Sequence, residues 1–154
     1  MGTLAEFYVV DPKEIADGLK GQLDKASRDA VIELWAEWHP DQPDPEGDFD
    51  DARIGPRRET ATAALVRVFG QQIEDVSVNS VASDDLAAAL GAVGVELPSP
   101  DTPAAGFVFN VAQMQVLSAL AGDPDSVAGA ISAAAEETAE EAVEAGLSSA
   151  LVIA

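Results

Sequence analysis

The sequence predicts an α+β fold, a small sheet containing the N- and C-terminal strands packed against five or six helices. Two apolar runs at opposite ends carry this reading. Leu4 to Val10 is rich in β-branched and aromatic residues, and Leu147 to Ala154 closes the chain with Leu-Val-Ile. A terminal strand holds only where a sheet receives it, so each run is the natural neighbour of the other. Between them lie helix-patterned segments punctuated by Pro and Gly, in the order β-α-α-loop-α-(β)-α-β-α-α-β. An all-α alternative stands if the terminal runs extend helices.

Taken in order, Asp11, Pro12 and Glu14 read as N-cap, first helical residue and N3, opening a helix with Ile15, Leu19 and Leu23 on one stripe. Gly18 and Gly21 weaken it by roughly 1 kcal/mol each relative to Ala, so it is short. Ser27 is the expected cap of a second helix, with Val31, Leu34, Trp35 and Trp38 at i, i+3, i+4, i+7 and His39-Pro40 as its end. Two Trp residues on one stripe read as core packing. The stretch 40–56 is an acidic, Pro-rich loop, because Pro40, Pro43 and Pro45 exclude helix and interior strand. A helix from Arg57 to Phe69 follows, with Ala61, Ala64, Leu65, Val68 and Phe69 on one face and Gly70 as its stop.

Gln71 to Val81 is a strand or an irregular extended connection. Ser83-Asp84-Asp85 starts a helix that stops at Gly91 or Gly94, and three prolines keep 95–103 out of helix. Gly106 to Val111 alternates like a strand, while Asn110 and Gln113 also fit a capping box for a helix running to Gly122. Asp123-Pro124 then opens a long helix to Ala145, halted by Gly146. No repeat recurs at a fixed period.

The 154 residues are expected to form one globular domain, and 47% hydrophobic content places the chain outside the disordered class. With aromatics at 5%, the core must be built from small and aliphatic side chains. There is no Cys, which removes disulfides, thiol nucleophiles and thiolate metal sites. No stretch has the ~18 apolar residues of a membrane span, and no signal-peptide pattern is present. The expectation is a soluble, cytoplasmic protein.

Charge is the strongest compositional signal, 28 acidic residues against 8 basic, net −20. All eight Lys and Arg lie at or before Arg67, whereas Val68 to Ala154 holds thirteen acids and no cation. Nucleic acid and anionic membrane both require a basic footprint and are excluded as partners. Three readings of the acidity remain: a shell suited to high salt, a face for a basic protein, or ordinary acidic bias.

The candidate chemistry is thin. Asp41, Asp44, Glu46, Asp48, Asp50 and Asp51 near His39 offer oxygen ligands, but their spacing does not match a calcium loop. His39, the sole histidine, ends a helix where the dipole favours a cation. One His and no Cys leave only Ser-Lys or carboxylate chemistry, and no spacing marks either. Gly91 and Gly94 follow a helix, not a strand, and form no phosphate loop. No catalytic, cofactor-binding or metal-ligating residue is expected.

The last helix carries the better signal. Glu136, Glu140 and Glu144, with Glu137 and Glu141, form two adjacent i, i+4 columns. The reverse side holds Val127, Ile131, Ala134, Ala135, Thr138, Ala142 and Ala145. These glutamates crowd the negative end of the macrodipole and repel one another, at about 0.3–1 kcal/mol per placement. Salt, early residues such as Lys13 or Lys20, or a partner must offset them. The five glutamates form the candidate interaction face.

The strand ending at Tyr8-Val9-Val10, the following Asp11-Pro-Lys-Glu-Ile15, and the closing helix, Ala-Gly turn and Ser149-Ala-Leu-Val-Ile-Ala154 resemble the ends of the YfbM-like family of small uncharacterised bacterial proteins. The resemblance covers about a quarter of the chain; in the middle, Trp35 and Trp38 sit differently from the family's Trp-containing segment. It implies an α+β fold and no known reaction. The functional expectation is a non-enzymatic accessory, immunity-type or assembly subunit acting by protein–protein contact, with a basic protein as partner and no cofactor. The alternative is a small enzyme or ligand-binding domain with a site built from dispersed residues.

Overall fold

The computed structural model describes residues 3–38, 58–78, 83–96, 104–119 and 127–154. Four strands, β1 (Thr3–Val10), β2 (Gln71–Val78), β3 (Ala105–Phe109) and β4 (Ser148–Ile153), form one antiparallel sheet in the order β2-β1-β4-β3. Six helices accompany it among the described residues: α1 (Pro12–Leu19), α2 (Lys25–Trp38), α3 (Arg58–Phe69), α4 (Ser83–Ala92), α5 (Val111–Ser118) and α6 (Val127–Ala145). This is the α+β class expected, with the two terminal strands paired at the centre. Leu4 N donates to Ala154 O at 2.8 Å and Ala154 N to Leu4 O at 2.9 Å, closing the two ends of the chain on each other.

Central strands covered on both faces lose the alternation of a half-buried strand. Ala5 to Val10 and Ser149 to Ile153 are buried without a break. On one face Tyr8, Val10, Ala150 and Val152 pack with Ile15 of α1, Val31 and Trp35 of α2, and α3. On the other, Ala5, Phe7, Val76, Val78, Leu151 and Ile153 pack with Leu86, Met114, Leu117, Ile131 and Ala135 from α4, α5 and α6. The N-terminal helices thus cover one face and the C-terminal helices the other.

Several local expectations need correction. Asp24, not Ser27, caps α2: Ser27 N donates to Asp24 Oδ1 at 2.7 Å, which places Ser27 two residues inside the helix that starts at Lys25. That bond holds the Asp24 carboxyl below the usual carboxylate range. Helix α3 was expected to bury one face, yet Thr60 to Val66 are all buried. It lies between the sheet and a second layer made by α1 and α2, and Ala and Thr suit burial on any side.

Of the two stops weighed for α4, the chain uses Gly94. Its N–H bonds to Gly91 O, and Val95 N bonds to Leu90 O. Strand β3 ends at Phe109, short of Val111, because the capping box takes precedence. Asn110 Oδ1 accepts from Gln113 N at 2.8 Å, and Gln113 Oε1 accepts from Asn110 N at 3.0 Å. The loop at 40–56, His39, and the Asp123-Pro124 helix start lie outside the described residues.

Gly146 turns α6 into β4 with φ 70°, and Leu147 N reaches back to Ala142 O at 2.8 Å. Gly106 answers a different need. A Cβ there would stand 2.6 Å from Ala63 N and 2.7 Å from Ala63 Cα, so β3 lies against the backbone of α3.

Two tests follow from this packing. Deleting Leu151 to Ala154 removes half of a central strand, and the expected result is loss of the cooperative thermal transition; a truncated chain with an unchanged Tm would show that this half of β4 is dispensable. Gly106→Ala should destabilise by about 1–3 kcal/mol through overpacking. Gly91→Ala, where an added Cβ meets nothing within 4 Å, should stabilise α4 by up to ~1 kcal/mol. Paired melting curves check both.

Candidate functional site

The segregation of charge along the sequence becomes a segregation in space. Lys13, Lys20, Lys25, Arg28, Arg58 and Arg67 all belong to α1 to α3 or the turn after α1, on one side of the sheet. Helices α4, α5 and α6, on the other side, hold no cation because Val68 to Ala154 contains none. Among the described residues, one face therefore carries mixed charge and the other only acids.

On the acidic face a groove of about 460 Å³ runs between α5 and α6. Its apolar lining is Val111, 48% exposed, and Val143, 62% exposed, with Ala139 between. Residues 111, 115 and 118 fall on one side of α5, and 136, 139, 140, 143 and 144 on one side of α6. Ser132 Oγ, donating within reach of Leu117 O (3.2 Å) and Ser118 O (2.9 Å), ties the end of α5 to α6. Glu136, Glu140 and Glu144 rim the groove.

The structure therefore divides the five glutamates singled out from the sequence. Glu141 instead lines a separate cleft of about 200 Å³ with Asp11 and Glu14. Glu137 is exposed and lines neither hollow. Among the described residues no cation forms an ion pair with any of the five. Of the reverse side, Ile131, Ala134, Ala135, Thr138 and Ala142 are buried as the pattern required, whereas Ala145 is exposed. Val111 and Val143 had no sequence signal as floor residues, because only the pairing of two helices brings them together.

A third hollow, about 340 Å³, lies beside β3. Its polar lining is largely engaged by the fold. Thr62 Oγ1 donates to Arg58 O at 2.9 Å, and Gln113 is held by Asn110 and by Val93 O. Among the described residues no group of three or more His, Cys, Asp or Glu is placed to hold a metal ion, and no helix is long and apolar enough to cross a membrane.

One polar cluster went unread in the sequence. Glu6, only 7% exposed, sits on the central strand β1. Its Oε1 accepts from Tyr8 Oη at 3.0 Å and Arg67 Nε at 3.0 Å, with Arg67 Nη2 at 2.9 Å. The Arg67 guanidinium also lies 5.2 Å from the centre of the Trp38 ring, so the cluster joins β1, α3 and α2. Burial, reinforced by the adjacent Glu6 charge, pushes the Tyr8 phenol up to about 12. Glu6 and Tyr8 stand two apart on one strand face, but Arg67 reaches them across 61 positions of sequence. The three are a clamp holding layers together, with no cavity against them among the hollows above.

Tyr8 is the only tyrosine, so its titration is directly readable. An unfolded tyrosine ionises near ~10. The native phenol should ionise about two units higher, near 12. Its contribution to stability is thus whole below the unfolded value and is lost as pH rises through the folded one. Phenolate absorbance should show the high midpoint in the native protein and the ordinary one in guanidinium; an ordinary midpoint in the native state would mean the clamp is open. Arg67→Met should cost roughly 3 kcal/mol, the low end for a broken buried pair, since Arg67 keeps some solvent contact. Urea unfolding measures it.

No protein-family model matches the chain, and neither a curated protein nor a solved structure matches it.

Proposed function

We propose that this chain is a non-enzymatic protein that works by protein–protein contact, as an accessory, immunity-type or assembly subunit, and that its partner is basic. The observation that supports this reading is the groove between α5 and α6, an exposed apolar floor inside a carboxylate rim, on the face that holds no cation among the described residues. Exposed apolar surface rimmed by charge is the form of a docking site. A basic amphipathic helix matches it in both respects. Its apolar stripe covers Val111, Ala139 and Val143, and cations spaced at i, i+4 meet Glu136, Glu140 and Glu144. The same cations relieve the repulsion those glutamates exert on one another at the negative end of α6.

Electrostatic capture predicts fast association that falls steeply with salt. The test is surface binding of a synthetic lysine–leucine amphipathic helix at low and high salt. Replacing the rim with Glu136→Gln, Glu140→Gln and Glu144→Gln should slow association markedly. Glu137→Gln with Glu141→Gln should leave capture nearly unchanged, although it removes nearby charge. Both sets should stabilise the free protein at low salt, by up to ~1 kcal/mol, through relief of dipole and i, i+4 repulsion. Equal losses of capture in the two sets would reduce the effect to net charge and overturn the groove as the site.

A further inference from the structure

The sheet has two outer edges, and they are built differently. Edge strand β2 carries Glu74 and Asp75 and breaks register opposite Phe7 and Tyr8, where Ile73 is left without a partner. Charges and a bulge are the usual devices that stop an edge from pairing with another strand. Edge strand β3, Ala105-Gly-Phe-Val-Phe109, has neither: it is uncharged, and its register with β4 is unbroken. Among the described residues no strand pairs with its outer side.

The hollow beside β3 has the shape that strand addition needs. It is lined by four successive residues, Gly106 to Phe109. Successive side chains of a strand point to opposite faces, so a hollow touching all four runs along the strand's edge. Arg58 and Glu59 at the start of α3 form part of the wall on one face of the sheet, and the turn 93–95 stands on the other. Phe107 and Phe109, ring centroids 6.4 Å apart and nearly parallel, anchor the strand on the second face, where Phe109 is buried in the core.

From this we infer that β3 is a receptor edge for an extended segment of a partner protein, which adds to the sheet as a fifth strand with alternating apolar residues and no acids. Charge chooses this occupant over a second copy. Two copies would bring together chains of net −20, whereas among the described residues the charged groups lining the trough are Arg58 and Glu59, of opposite sign. Walls on both sides also admit a lone strand more readily than a strand carrying its own helices. The proposal uses residues distinct from the α5–α6 groove and stands or falls apart from it.

The test is a titration of the isotope-labelled full chain with the capped peptide Ser-Val-Thr-Val-Thr-Ser, followed by amide NMR and hydrogen exchange. Saturable shifts and slowed exchange confined to residues 105–109 and the trough walls are expected. The same peptide N-methylated at alternate residues should fail to bind, because one edge of its backbone is blocked. Val108→Lys, at a position already 36% exposed, should weaken binding by about tenfold or more while leaving the thermal transition in place. No shifts, shifts only at the α5–α6 groove, equal binding by the N-methylated peptide, or full binding by Val108→Lys would each overturn the proposal. Protection of 105–109 in a peptide-free dimer would also do so, in favour of a second copy.

Discussion

The antiparallel pairing of β1 with β4 is the constraint on which the rest of this structure depends. It joins residues from the two ends of the chain, from Ala5 opposite Ile153 to Val10 opposite Ser148. Each strand supplies residues to both faces of the sheet, so both hydrophobic clusters are assembled around it. Such non-local contact carries a large loop-closure cost, repaid only when the helices on each face are in place. The fold is therefore expected to form as one cooperative unit.

That pairing also sets the electrostatics. With a central strand at each end, the chain wraps α1 to α3 over one face and α4 to α6 over the other. The break in composition at Arg67 then coincides with the passage from one face to the other. Arg67 itself is drawn into the clamp with Glu6 and Tyr8, in a setting where an unpaired carboxylate would be costly. No cation follows it, and among the described residues none pairs with the glutamates of α6. Among the described residues, the lack of cations thereby becomes a property of one face.

The two proposed docking surfaces differ in physical kind. Between α5 and α6, side chains supply both the apolar floor and the charged rim, and attraction is long-ranged and sensitive to salt. Along β3 the recognition would come from backbone groups, with side-chain pockets adding selectivity. A high net charge is compatible with an open edge of this sort, since it keeps identical copies apart.

The sequence by itself determined the elements. Proline and glycine positions, the Asn110–Gln113 capping box, the Asp11 cap and the β-branched ends fix strands and helices through interactions spanning a few residues, and those are legible without a fold. It also pointed to the pairing of the two ends, since a terminal strand holds only where a sheet receives it. Tertiary structure alone decided which residues share a surface. The all-round burial of α3 depends on a second helical layer, and the groove floor at Val111 and Val143 depends on how α5 meets α6. The separation of Glu141 from Glu136, Glu140 and Glu144 depends on which neighbour each side of α6 faces, and the Glu6–Arg67 clamp on contact across 61 positions. Local periodicity shows which side of an element is polar. Only packing shows what that side meets.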